Sequence, residues 1–125
     1  MIGYITLGTN NLEEATVFYA QLLSPLGILQ RYQGPRLSIF GTEGVDEPTL
    51  VIAKPFNEEI ATPGNGSMTA LPCGTQAKVS ELYDLAISLG ATDEGPPDWR
   101  YSTFYGAYVR DLDKNKLAFY FKKNK

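Results

Sequence analysis

The residues of this chain best equipped for chemistry are aromatic rings and a few cations. Tyr4 lies near the start, Trp99, Tyr101, Tyr105, Tyr108 and Arg110 crowd into one stretch, and Tyr120 follows. A phenol orients a ligand by hydrogen bonding or, when activated, moves a proton. Aromatic rings stack on planar ligands, and a guanidinium offers a planar fork to a carboxylate. Histidine is absent from all 125 residues. Ser-His-Asp and Cys-His catalysis, imidazole proton shuttling and the commonest zinc and iron ligand sets are therefore excluded within the chain. Proton transfer falls to carboxylates, Tyr, Lys, Cys73 or bound water.

Each candidate also has a plain packing role to weigh. Tyr4 is either a ligand-orienting phenol or a strand tyrosine packed with its tip hydrogen-bonded. Met68 either lines a pocket or fills core. Trp99 and Tyr101 lie beside Pro96 and Pro97 and read as a lid over an apolar ligand or as a dimer contact. Arg110 pairs with a ligand carboxylate, or with Asp111, Asp113 or another carboxylate of the chain. Lys54, at the corresponding strand end of the first half, has the same two readings. Asp111-x-Asp113-x-Asn115 opens like a calcium loop, but Lys116 stands where that loop needs glycine and Lys122 where it needs a bidentate Glu. It reads as a hairpin whose Asp and Asn bond their own backbone. Gly64-Asn65-Gly66-Ser67 precedes a strand, so it lacks the helix N-terminus that cradles phosphate. Cys73 has no basic neighbour in sequence to lower its pKa and reads as an ordinary thiol.

What positions these residues is a pattern stated twice. Phe-Tyr-Ala-Gln-Leu-Leu-Ser-Pro-Leu-Gly (18–27) and Leu-Tyr-Asp-Leu-Ala-Ile-Ser-Leu-Gly (82–90) are each preceded by one strand-like segment and followed by three. Residues 2–8 alternate as a strand. Asn11 caps the first helix with Glu14 closing a capping box, and Ala15, Phe18, Tyr19, Leu22 and Leu23 form its apolar stripe. Pro25 and Gly27 end it. Strands are predicted near 28–33, 36–41 and 48–54, and a linker over about 56–66. In the second half a strand spans about 67–72. Thr75 caps a helix carrying Val79, Leu82, Tyr83, Ala86 and Leu89, and Gly90 takes the left-handed position after it. Strands follow near 91–95, 102–110 and 116–122. Glu94 to Arg100, with Gly95, Pro96 and Pro97, is expected to be too turn-rich for a strand.

The length suits a single domain over 1–125, in which module one (about 1–55) and module two (about 67–125) share the burden of building a core neither could complete alone. No apolar run approaches a membrane span, and the opening reads as a first strand rather than a signal peptide. One cysteine cannot form an internal bridge, which accords with a cytoplasmic location. A net charge of −3 with scattered cations disfavours nucleic acid and anionic membrane as partners. Lys122, Lys123 and Lys125 read as a small solvated basic tail.

The segments 4–19, 64–71 and 105–117, taken in order with the repeat, resemble the vicinal oxygen chelate superfamily of glyoxalases, bleomycin-resistance proteins and extradiol dioxygenases. The resemblance covers essentially the whole chain. It implies an α+β fold of tandem βαβββ modules, forming a curved mixed sheet around an open trough with helices on the outer face. It also implies four metal-ligand positions, normally His, Gln or Glu, which here fall on Tyr4, Val51 (Leu50 with a slip of one), Met68 and Ala118. Met, Ala, Val and Leu side chains hold no hard cation, and Tyr does so only as a phenolate. Pro and Gly usual in the family's last turn are replaced by Leu112 and Lys114, which implies a slightly different turn type. Alternation makes Tyr4, Val51, Met68, Ala70, Ala118 and Tyr120 the trough floor, with Trp99, Tyr101, Phe104 or Tyr105, Tyr108 and Arg110 as walls. The expectation is a glyoxalase/bleomycin-resistance-like protein with no metal and no cofactor, a homodimer, binding a small, partly aromatic molecule in an apolar trough. The alternatives are a lyase or related glyoxalase-type enzyme acting on a small oxygenated substrate, and a structural or regulatory dimer with no pocket activity.

Overall fold

The computed structural model describes residues 1–124, which form two compact units, Met1–Pro63 and the part from Gly64 onward. Each unit is a four-stranded mixed sheet with one helix packed on it, an α+β arrangement that repeats in the order the sequence predicts. No helix among the described residues is long and apolar enough to cross a membrane.

The first unit runs β1 (Ile5–Gly8), α1 (Leu12–Leu23), β2 (Ile28–Gln33), β3 (Leu37–Thr42) and β4 (Leu50–Ala53), in sheet order β1-β4-β3-β2. β1 lies parallel to β4 with Ile5 opposite Leu50; the other pairs are antiparallel. β1 starts at Ile5, later than the predicted 2–8, because its only sheet neighbour, β4, starts at Leu50, just past Pro48. The Asn11 side chain accepts from the Glu14 amide at 3.1 Å and donates back to the Glu14 carboxylate, satisfying a donor that the helix leaves free. A 3-10 turn at Ser24–Leu26 follows α1, and Gly27 at φ 75° supplies the left-handed exit. The apolar stripe of α1 is buried throughout, with Tyr19 against Phe40 of β3 at 6.4 Å, and Leu50 and Ile52 of β4 complete that core. Inside it Thr16 Oγ1 and Ser38 Oγ stand 2.7 Å apart, and Thr16 also donates to the Leu12 carbonyl. Both hydroxyls are thus buried with partners.

The second unit runs β5 (Thr69–Pro72), α2 (Gln76–Ser88), β6 (Thr92–Tyr101), β7 (Phe104–Arg110) and β8 (Lys116–Lys122), in sheet order β5-β8-β7-β6. Thr75 caps α2 by accepting from the Lys78 amide at 3.1 Å. Val79, Leu82 and Ala86 on α2 share a core with Ala107, Val109, Leu117 and Phe119. The stretch 94–100, expected to lie outside the sheet, belongs to β6. The pairing with β7 skips residues between Asp93 and Gly95 and again between Gly95 and Asp98, so Pro96 and Pro97 fall in an irregular part of the ladder. β6 is also an edge strand, where a missing N–H costs no second neighbour.

The β7–β8 turn is held by Asp111. Its carboxylate accepts from the amides of Asp113 (2.8 Å) and Asn115 (2.9 Å) and from Asn115 Nδ2 (3.0 Å). The calcium-like spacing therefore serves its own backbone, as read from the sequence. Lys114 sits in this turn at φ 72°, a left-handed conformation that costs a residue with a Cβ about 1–2 kcal/mol. Lys114→Gly is expected to raise stability by about 0.5–1 kcal/mol once the greater freedom of glycine in the unfolded chain is set against that relief. Urea midpoints check it; an unchanged or lower midpoint shows that the turn stores no such strain.

Candidate functional site

The register of the second sheet sorts the aromatic candidates into two rows. Tyr105 is opposite Phe121, in the row that continues with Ala107 and Val109 into the α2-facing core. Trp99 pairs with Tyr105, and their rings meet edge to face at 5.2 Å. Phe104, Gly106, Tyr108 and Arg110 occupy the other row, with Ala118 opposite Tyr108 and Tyr120 opposite Gly106. Tyr105 and Tyr108, named together from sequence, thus lie on opposite faces. On the face away from α2, Phe104 stacks on Tyr120 at 5.3 Å and 8°. Gly106 permits this, since a Cβ there would come within 2.9 Å of the Phe104 ring. Arg100 and Lys116 each place a cation over the Tyr108 ring, at 5.2 and 5.4 Å, and Arg100 Nε also donates to the Gly106 carbonyl at 3.3 Å. Such contacts are worth about 0.5–1 kcal/mol each at exposed sites. Sequence reasoning did not single out Arg100; its place depends on the irregular course of β6.

The remaining candidates of this unit separate. Arg110 donates to Glu94 at 3.0 Å and to the Lys114 carbonyl at 3.1 Å, so its guanidinium is engaged within the chain. Tyr101 is largely exposed, with its ring 6.3 Å from Phe104. Met68 is half exposed just before β5, and Ala118 is buried. Tyr83 donates to Asp93 at 2.9 Å; desolvation, then this bond, raises its phenol. Cys73 is buried, and loss of hydration pushes its thiol up to about 11, far from the range of a reactive thiolate.

In the first unit Tyr4 is half exposed one residue before β1, and Val51 is buried between Thr6 and Ile39. A concavity opens beside Val51 on the same sheet row, which continues through Thr6 and Ala53. A cavity of about 700 Å³ is lined by Thr6 and Gly8 of β1, Leu37 of β3, Ala53 of β4, Arg36, Lys54, and most of the segment Pro55 to Thr62, Glu58 and Glu59 excepted. That segment, predicted as the start of a linker, is a strap anchored at both ends. Asn10 donates to and accepts from the Ala61 backbone at 3.2 and 2.8 Å, and Arg36 donates to the Pro55 carbonyl at 2.7 Å. Gly8 allows the close fit, for a Cβ there would stand 3.2 Å from Ala61 Cβ. Phe56 and Ile60, both strongly exposed, belong to the cavity wall. Two isolated apolar residues in a polar stretch were the available signal.

The positions at which the resemblance leads one to expect metal ligands are Tyr4, Val51 or Leu50, Met68 and Ala118, side chains that do not suit a hard divalent cation. Among the described residues no group of three or more His, Cys, Asp or Glu side chains is placed to hold a metal ion.

Two helix-backed mixed sheets in tandem define the protein's class as α+β. No family model matches the chain, and no curated protein does. Among solved structures, a glyoxalase/bleomycin resistance protein from Albidiferax ferrireducens T118 is 30% identical over 98% of each chain, with a TM-score of 0.88. The chain belongs to this glyoxalase/bleomycin resistance family, within the vicinal oxygen chelate superfamily. The fold is shared more distantly by a glyoxalase-related enzyme from Fulvimarina pelagi (21% identity, 98% of this chain and 88% of that one, TM-score 0.77). It is shared also by a lactoylglutathione lyase from Agrobacterium tumefaciens (19% identity, 97% and 92%, TM-score 0.67).

Proposed function

We propose that the protein binds a small, partly aromatic molecule through apolar surface on the open side of its sheets, without a metal in the interaction. The observation that carries this reading is the cavity of about 700 Å³ in the first unit. Its volume falls in the range of small-molecule sites, roughly 300–1,000 Å³, and it pairs apolar walls with a few polar groups, as such sites do. The donor set at the family's ligand positions supports the metal-free part. The stacked Phe104 and Tyr120 offer a second aromatic surface of the same character.

The test combines metal analysis with a thermal-shift screen of small aromatic compounds on untagged protein. The expected result is no metal retained after dialysis against nickel, zinc, manganese and iron, and a raised melting temperature with some compounds. A ligand at a hundredfold its Kd stabilises by about 2.7 kcal/mol, well above detection. One tightly held metal per chain with no aromatic ligand would overturn the proposal and favour a glyoxalase-type lyase.

A further inference from the structure

We infer that the cavity of the first unit is built for a small carboxylate with an apolar body, its carboxylate held jointly by Arg36 and Lys54. The inference rests on the small-molecule reading above and adds the chemical class. Arg36 and Lys54 are exposed residues of the cavity lining, and the Lys54 amide donates to the Arg36 carbonyl at 2.9 Å, so the two residues adjoin at the backbone. The bond from Arg36 to the Pro55 carbonyl, at 2.7 Å, fixes the guanidinium against the strap and leaves its other N–H donors for a ligand. Among the described residues neither Arg36 nor Lys54 takes part in an ion pair. Glu58 and Glu59 line an adjoining cavity of about 350 Å³ together with the same two cations, yet neither closes an ion pair with them.

Neither cation is ion-paired among the described residues, so a bound anion gains from both at once. They adjoin a wall of Leu37, Ala53 and Phe56, which asks for an apolar body behind the charged group. A planar carboxylate matches both demands. It meets the guanidinium fork with two parallel hydrogen bonds and the ammonium as a point charge, and it carries less hydration into an apolar site than a dianion does.

The probes are 1-naphthylacetate and its neutral isostere 1-naphthylacetamide, titrated into the full chain and followed by amide NMR. Both are expected to shift the amides of Ala53, Phe56 and Ala61, with the acetate bound at least about tenfold more tightly at low salt. Added salt is expected to shrink that margin, because screening acts on exposed charges. The double variant R36Q/K54M should abolish the margin, read as the ratio of the two probes' affinities within that variant, because losing the Arg36 bond to the Pro55 carbonyl weakens both probes alike. K54M alone keeps the guanidinium and should retain part of the margin, so the result does not hang on one variant's folding. Equal affinities for acetate and acetamide at these amides would overturn the carboxylate assignment and leave small-molecule binding intact. If neither probe moves these amides, both the carboxylate assignment and the ligand role of this cavity fall.

Discussion

Phe119→Ala is expected to cost about 3–5 kcal/mol, a large share of the 5–15 kcal/mol that usually separates folded from unfolded. Phe119 is wholly buried in β8, opposite Ala107 of β7 and Leu71 of β5, in the row that faces α2. Its removal loses the transfer free energy of a full ring. It also leaves a void that neighbours locked in two ladders fill only in part. Val79 and Leu82 on α2 would lose packing partners at the same time. The control is Val17→Ala on the exposed side of α1, expected to change stability by no more than about 0.5 kcal/mol. Guanidinium unfolding with matched slopes measures both. A loss below about 1 kcal/mol for Phe119→Ala would mean that the ring does not fill the core.

Asp111→Ala is expected to cost about 2–4 kcal/mol, although the residue sits in a turn. Asp111 is 2% exposed, and its carboxylate receives three hydrogen bonds within the β7–β8 turn. Alanine takes those acceptors from the amides of Asp113 and Asn115 and from the Asn115 side chain, in a place largely closed to water. Bonds to an ionised acceptor are the stronger kind, which raises the cost. Asp111→Asn keeps one acceptor oxygen for the two backbone amides but presents an N–H₂ toward Asn115 Nδ2, so it should fall between wild type and alanine. Urea midpoints in the order wild type, Asn, Ala, with faster amide exchange at Asp113 and Asn115, bear this out. Equal effects of Asn and Ala would show that the backbone bonds contribute nothing.

How much of the fold and the candidate site is legible in the sequence follows from how local each signal is. Helix caps and stripes are local, so Asn11 with Glu14, Thr75, and the buried faces of α1 and α2 are all readable from neighbouring residues alone. β6 is not. Pro96 and Pro97 argue against a strand unless it is known to lie at a sheet edge with a skipped ladder, and both facts belong to topology. Alternation leaves the face of Tyr105 open against Phe104; the register with Phe121 decides it. The cavity strap escapes sequence reasoning for a related reason. Pro55 to Thr62 has the composition of a linker, and what makes it a wall is a pair of side chains, Asn10 and Arg36, far from it along the chain. Arg100 over Tyr108 depends in turn on the irregular β6.

The parallel pairings at one edge of each sheet set a timetable for synthesis. β1 finds β4 only after α1 and two further strands have been made, and β5 likewise waits for β8, with Thr69 opposite Leu117. Contacts this distant along the chain form late, because a long loop must close first. As the chain leaves the ribosome, the first unit can close once Ala53 has emerged. The second emerges later, as a strand, a helix and one hairpin in search of a partner, and β5 offers open backbone groups until β8 arrives between it and β7. A pause in translation over residues 111–117 would prolong that exposed interval in the second unit and leave the first untouched.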